Sequence, residues 1–156
     1  MAKYGLMNSG QIAAVIALTA LESVEYVYKH NVSPGRPGQG TSNMQMFSFN
    51  LQYAKSIPEL KDALAGISGI NEQNPDSTPD DAKKAVLALV QDDKYNFGSG
   101  PWYLSTMPQC DAAKKLLETS PDAGWAKYMT DCVGVDAGDA KRNEYWARAK
   151  KAFGLS

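Results

Sequence analysis

The longest apolar stretch of the chain runs Ala13-Ala14-Val15-Ile16-Ala17-Leu18-Thr19-Ala20-Leu21 and ends on a charge, Glu22. It is apolar nearly all round, which predicts a helix wrapped by other elements. Asn8-Ser9-Gly10-Gln11 offers an N-cap with Gln in its fourth position, as in a capping box. The pattern continues into Tyr26, Val27 and Tyr28, so the helix is expected over residues 9–30. Helical spacing puts Ile12, Val15, Thr19, Glu22 and Tyr26 on one side.

The following segment, Asn31 to Thr41, holds two prolines and three glycines and reads as a loop. A second helix is expected over roughly 43–55, a short third from Pro58 towards Leu64, and a turn-rich connection from Gly66 to Pro75. Thr78-Pro79-Asp80-Asp81 is a helix start, with acids in the first turn, and Val86, Leu87, Leu89 and Val90 supply its buried face. Asn96 to Pro101 breaks the pattern, and Trp102-Tyr103-Leu104 is expected to be briefly extended. Further helices open at Ser120 and over Asp136 to Asp139, the last ending at Gly154. The expected fold is mainly α, one domain over residues 1–156, with a central buried helix, Gly/Pro-rich loops and at most short β segments.

Hydrophobic residues make up 44% of the 156, enough for a substantial core. The net charge is -1 and the two signs are interspersed, so neither a nucleic-acid stripe nor a polybasic membrane patch is present. No apolar run reaches the roughly 18 residues of a membrane span. Lys3 before the apolar run has the outline of a signal peptide, but the cap and the continuing pattern favour a structural helix, with any secretion signal already removed. Cys110 and Cys132 allow one disulfide or two buried thiols. A bridge, the preferred reading, would contribute about 3 kcal/mol in the chain-entropy model and would point to a secreted, extracellular protein. With one histidine in the chain, no metal or cofactor is expected.

Glu22 is the leading chemical candidate. Burial and the negative end of a helix dipole both disfavour its charge, so it can hold a proton and deliver it where a bond breaks. No Lys or Arg lies between Lys3 and Lys29, although Arg36 or Arg142 could reach it. Glu22 could instead be structural, holding the amides of the Gly40 to Asn43 segment. Glu25, one helical turn on, is a candidate second carboxylate or a cleft-rim residue. Gln39, Thr41, Ser42, Asn43 and Gln45 can donate and accept hydrogen bonds to a neutral polyhydroxylated ligand. Trp102 and Tyr103 can stack on sugar faces, or fill the core. His30 reads as a capping or rim residue, and no lysine follows the loop glycines as a phosphate loop would need.

Ala17-Leu18-Thr19-Ala20-Leu21-Glu22-Ser23 resembles the catalytic motif of the lysozyme-like superfamily, in which lytic transglycosylases and goose-type lysozymes show an apolar helix ending in Glu-Ser. The resemblance implies a lysozyme-like bundle with Glu22 as general acid. Ser23 is followed here by Val24-Glu25-Tyr26, where that family has a glycine or small residue and then an aromatic. The segments from Pro34 to Met46 and from Gly98 to Leu104, with Gly124-Trp125, Cys132-Val133-Gly134 and Tyr145-Trp146, resemble small secreted fungal proteins over nearly the whole chain. The resulting expectation is a monomeric, secreted glycoside hydrolase acting on a β-1,4-linked amino-sugar polymer, peptidoglycan before chitin. The alternatives are a secreted non-enzymatic effector or toxin-like protein that binds a host component, and a cytosolic helical domain.

Overall fold

The structure, a computed structural model, describes residues 1–155. Its helices are α1 (Ser9–Glu22), α2 (Phe47–Lys55), α3 (Lys61–Ala65), α4 (Asp80–Val90), α5 (Asp93–Asn96), α6 (Ser99–Thr106), α7 (Asp111–Thr119), α8 (Pro121–Lys127) and α9 (Ala140–Phe153), with a π-helical turn at Tyr128–Val133. The mainly α expectation holds. Among the described residues, β pairing is confined to two isolated bridges, His30 with Gly40 and Gly40 with Gln45.

Three local expectations are corrected. The first helix stops at Glu22 rather than near residue 30, because the Ser23 side chain captures the amide of Tyr26 and reverses the chain. The second begins at Phe47, because residues 43–45 are held in the preceding loop. Trp102-Tyr103-Leu104 is helical, not extended. Pro101 stands in the first turn of α6, where its missing N–H forfeits no intrahelical bond.

The chain divides into two compact units, residues 1–22 with those from Gly100 on, and residues 23–99. In the first, α1 packs against α9 and α7, and α7 against α8. The Asn8 side chain accepts from the Gly10 amide at 2.8 Å and so caps α1. Gln11 does not close a capping box. It is buried and donates to the Lys114 carbonyl and the Glu118 carboxylate, tying α1 to α7. Backbone contact fixes the spacing of these helices. A Cβ at Gly10 would lie 2.0 Å from the Leu117 carbonyl oxygen, and one at Gly124 would lie 2.5 Å from the Leu117 nitrogen.

Trp125 and Trp146 stack with centroids 5.1 Å apart and planes 5° from parallel, joining α8 to α9. Each indole N–H is satisfied, Trp125 by Asn143 and Trp146 by Asp122. Lys150 also reaches Asp122, and the ammonium and indole together hold that carboxyl below its ordinary range. Cys110 and Cys132 form the disulfide, within this unit, with Cα atoms 4.5 Å apart.

In the second unit, α2 packs on α4 through Phe47, Leu51 and Ala54 on one side and Val86, Leu87 and Val90 on the other, all buried. Asp80 and Asp81 sit in the first turn of α4, complementing its dipole. Tyr53 is buried and donates to the Tyr95 carbonyl at 2.7 Å, fixing α2 to α5.

Gly124→Ala is expected to destabilise the protein by about 1–3 kcal/mol, because the methyl meets backbone that cannot swing aside. Gly66→Ala, whose φ is -73° and whose nearest Cβ neighbour would stand at 3.4 Å, should leave stability unchanged or slightly raised. Urea denaturation of both variants checks this pair, and equal midpoints would remove the proposed close approach.

Candidate functional site

Glu22 closes α1 as expected, but it is not an isolated carboxyl. Its Oε1 accepts from Arg142 Nη1 at 2.8 Å, and the two side chains are 25% and 18% exposed. The guanidinium comes from α9, so the partner absent from the local sequence arrives 120 residues later. The same unit holds Tyr128, fully buried at the start of the π-helical turn, whose hydroxyl has no hydrogen-bond partner among the described residues. Burial pushes its phenol well up, and Tyr103 and the Glu22 carboxylate push it further. Tyr103 is buried and donates to the Cys132 carbonyl at 3.2 Å, while Gln109 donates to it. Burial outweighs that last bond and raises the Tyr103 phenol too.

Trp102 and Tyr103, expected as candidate stacking platforms, are buried side chains of the helix α6. Glu25 is not one helical turn along from Glu22. It lies exposed in the turn that follows α1, where Val24, Glu25 and Tyr26 have φ of 51°, 55° and 67°. Three successive left-handed residues without a glycine are rare, each costing about 1–2 kcal/mol, and Val24 is β-branched. The Ser23 side chain, accepting from the Tyr26 amide at 2.8 Å, and the Ser23 carbonyl, accepting from Tyr28, lock the turn. It presents Val24, Val27 and Tyr28 to solvent, and Tyr26 stands edge-on to the exposed Phe97 ring. Nothing in the apolar periodicity of the sequence signals this reversal.

The loop before α2 carries the other expected ligand contacts. Thr41, Ser42, Asn43 and Gln45 are buried and Gln39 half-buried. Their polar groups serve the loop itself. The Thr41 amide donates to the Lys29 carbonyl, Ser42 to the Asn96 carbonyl, Asn43 to Gln45, and Gln39 to the Met44 carbonyl. Asn50, unnoticed in the sequence, is the keystone. It is buried and donates to the carbonyls of Gly38 and Gln45 at 2.8 and 3.1 Å. Among the described residues, no three His, Cys, Asp or Glu side chains gather as a metal site, and no helix is long and apolar enough to cross a membrane.

No family model and no solved structure matches the chain. It is 48% identical over 151 residues, 96% of its length, to a bifunctional dioxygenase (DOX)-epoxy alcohol synthase (EAS) of Fusarium oxysporum (strain Fo5176). The chain spans 11% of the length of that relative. This overturns the expected glycoside hydrolase and, with it, the assignment to glycosidase chemistry on peptidoglycan or chitin. The expectation rested on the seven residues around Glu22 and on scattered polar and aromatic candidates, whereas the similarity to the dioxygenase-epoxy alcohol synthase extends over nearly the whole chain.

Two outcomes are expected from this geometry. A double-mutant cycle of Glu22→Gln and Arg142→Met, followed by urea denaturation, should return a coupling of about 1–2 kcal/mol. A coupling near zero would show that the pair is not formed in solution. Val24→Gly should stabilise the protein by about 1 kcal/mol, since it relieves the left-handed valine and removes little buried area. A lower melting temperature for this variant would count against that turn.

Proposed function

We propose that this chain serves oxygenase-type chemistry, as one helical unit of a dioxygenase–epoxy alcohol synthase system. The observation that carries this reading is the end-to-end similarity, 48% over 96% of the chain, to a segment of a bifunctional enzyme of that name. Similarity at this level, spread along both compact units, supports a shared architecture and a shared working context. Because the matched segment is 11% of a protein with two activities, the unit acts together with the remainder of such a system. The Cys110–Cys132 bridge supports an oxidising compartment as its setting.

The test uses the Fusarium relative, whole and with the matching 151 residues removed, and then this chain added back in trans. Oxygen uptake and epoxy alcohol formation are measured on the same substrate preparation. Removal is expected to change at least one rate by about fivefold or more, the lower end of an ordinary coupling between sites, and addition of this chain to restore part of it. Equal rates and equal product ratios in all three samples would overturn the proposal.

A further inference from the structure

The second unit contains a cleft whose charge runs against that of the chain as a whole. It has a volume of about 390 Å³ and is lined by residues of the segment from His30 to Gln39, by Lys84 and Leu87 of α4, and by Gln91 just after it. Arg36, Lys84 and His30 line it, and no Asp or Glu is among the described residues that do. The net charge of the chain is -1, so this local excess of cations is not a reflection of composition. Neither cation is committed to a strong partner. Among the described residues the Arg36 guanidinium makes no ion pair, and its hydrogen bond is to the Met46 sulfur at 4.0 Å. Lys84 meets Asp81 at 3.8 Å across one turn of α4, both side chains well exposed, a geometry worth little in water.

The cleft is also built rather than incidental. Asn31 donates to the side chain of Gln39, Gln39 donates to the Met44 carbonyl at 3.1 Å, and Gln91 donates to the Lys29 carbonyl at 2.8 Å. These amides tie together the lining from which the exposed Arg36 and Lys84 side chains project. Half-buried Pro37, with the small exposed edge of the otherwise buried Leu87, adds apolar lining. The volume falls near the lower end of the roughly 300–1,000 Å³ typical of small-molecule sites.

We propose that this cleft binds a small organic oxyanion, its charged group held by Arg36 and Lys84 and its apolar body laid against Leu87 and Pro37. A guanidinium fork and an ammonium lining the same cleft suit a carboxylate or a phosphoryl group. The proposal stands apart from the oxygenase reading and survives its failure.

The full chain, labelled with ¹⁵N, is titrated with sodium benzoate, with inorganic phosphate and, as an ionic-strength control, with sodium chloride. Saturating shifts at the amides of Gly35, Gly38 and Gln39 and the side-chain amide of Gln91 are expected, with a Kd on the order of 1 mM. Arg36→Ala and Lys84→Ala should each weaken binding by roughly fivefold or more, while Lys115→Ala, on the first unit, should not. Arg36, Lys84 and Lys115 are exposed, so their substitution leaves the fold intact. Tighter saturation by benzoate supports an organic carboxylate as ligand, and tighter saturation by phosphate at the same amides supports a phosphoryl ligand. Shifts no larger than those from chloride, or equal affinities in wild type and both cleft variants, would overturn the proposal.

Discussion

Leu117 is where the backbones of three helices come closest, and the first unit is organised by that contact. Gly10 of α1 faces its carbonyl and Gly124 of α8 faces its amide, each with no room for a methyl group. With the spacing set by backbone rather than by side chains, α1 can be filled with small residues and still leave no gap. Ala13, Ala14 and Ala17 are all buried to within a few per cent. Small side chains bury little area each, about 25 cal/mol per Å², so they stabilise only if the neighbouring helices are near. The polar ties follow the same geometry. Gln11 reaches α7 and Arg142 reaches Glu22 because α1 is already pressed between α7 and α9.

The second unit solves a different problem, that of holding a proline- and glycine-rich segment without regular structure. Its backbone groups find partners one at a time. Lys29, Gln39 and Gln45 supply carbonyls to the amides of Thr41, Asn31 and Gly40. Asn50 supplies two more bonds from a rigid helix. Each bond is worth about 1 kcal/mol net, but leaving its buried partner unmade would cost more. This is why the polar residues of the loop are inside. Most side chains that look suited to a ligand in the sequence are turned to holding the frame, although Asn43 Oδ1 and Gln45 Nε2 stay buried without a hydrogen-bond partner among the described residues.

The features legible in the sequence are those that depend on local order. The apolar run from Ala13 to Leu21, the acids opening α4 and the aromatic spacing of Trp125 and Trp146 mark helices that are present. The end of α1 was not legible, because Tyr26, Val27 and Tyr28 continue its pattern while Ser23 diverts the backbone. The apolar residues there face solvent, so periodicity carries the wrong message about burial. The Glu22–Arg142 pair was legible only as a possibility, since 120 residues separate its members. Gly10 and Gly124 look like ordinary helix-weakening glycines until the third helix is placed beside them.

Chemistry was the least legible level, for a physical reason. A short motif such as Leu21-Glu22-Ser23 specifies a helix end and a carboxylate, and many folds have both. What the carboxylate does depends on what meets it. A carboxyl that is to meet a substrate must be free to do so, whereas Glu22 is tied to the Arg142 guanidinium at hydrogen-bonding distance. The same test applied to the cleft beside α4 gives the opposite result. There, among the described residues, Lys84 has only its exposed 3.8 Å contact with Asp81 and Arg36 only the Met46 sulfur, and the backbone around them is tied by amides from three separate positions in the chain. A tightly paired charge stabilises the fold, and a weakly paired charge on a concave surface is available to a ligand, so the places to look for binding are those where the protein holds its own charges only loosely.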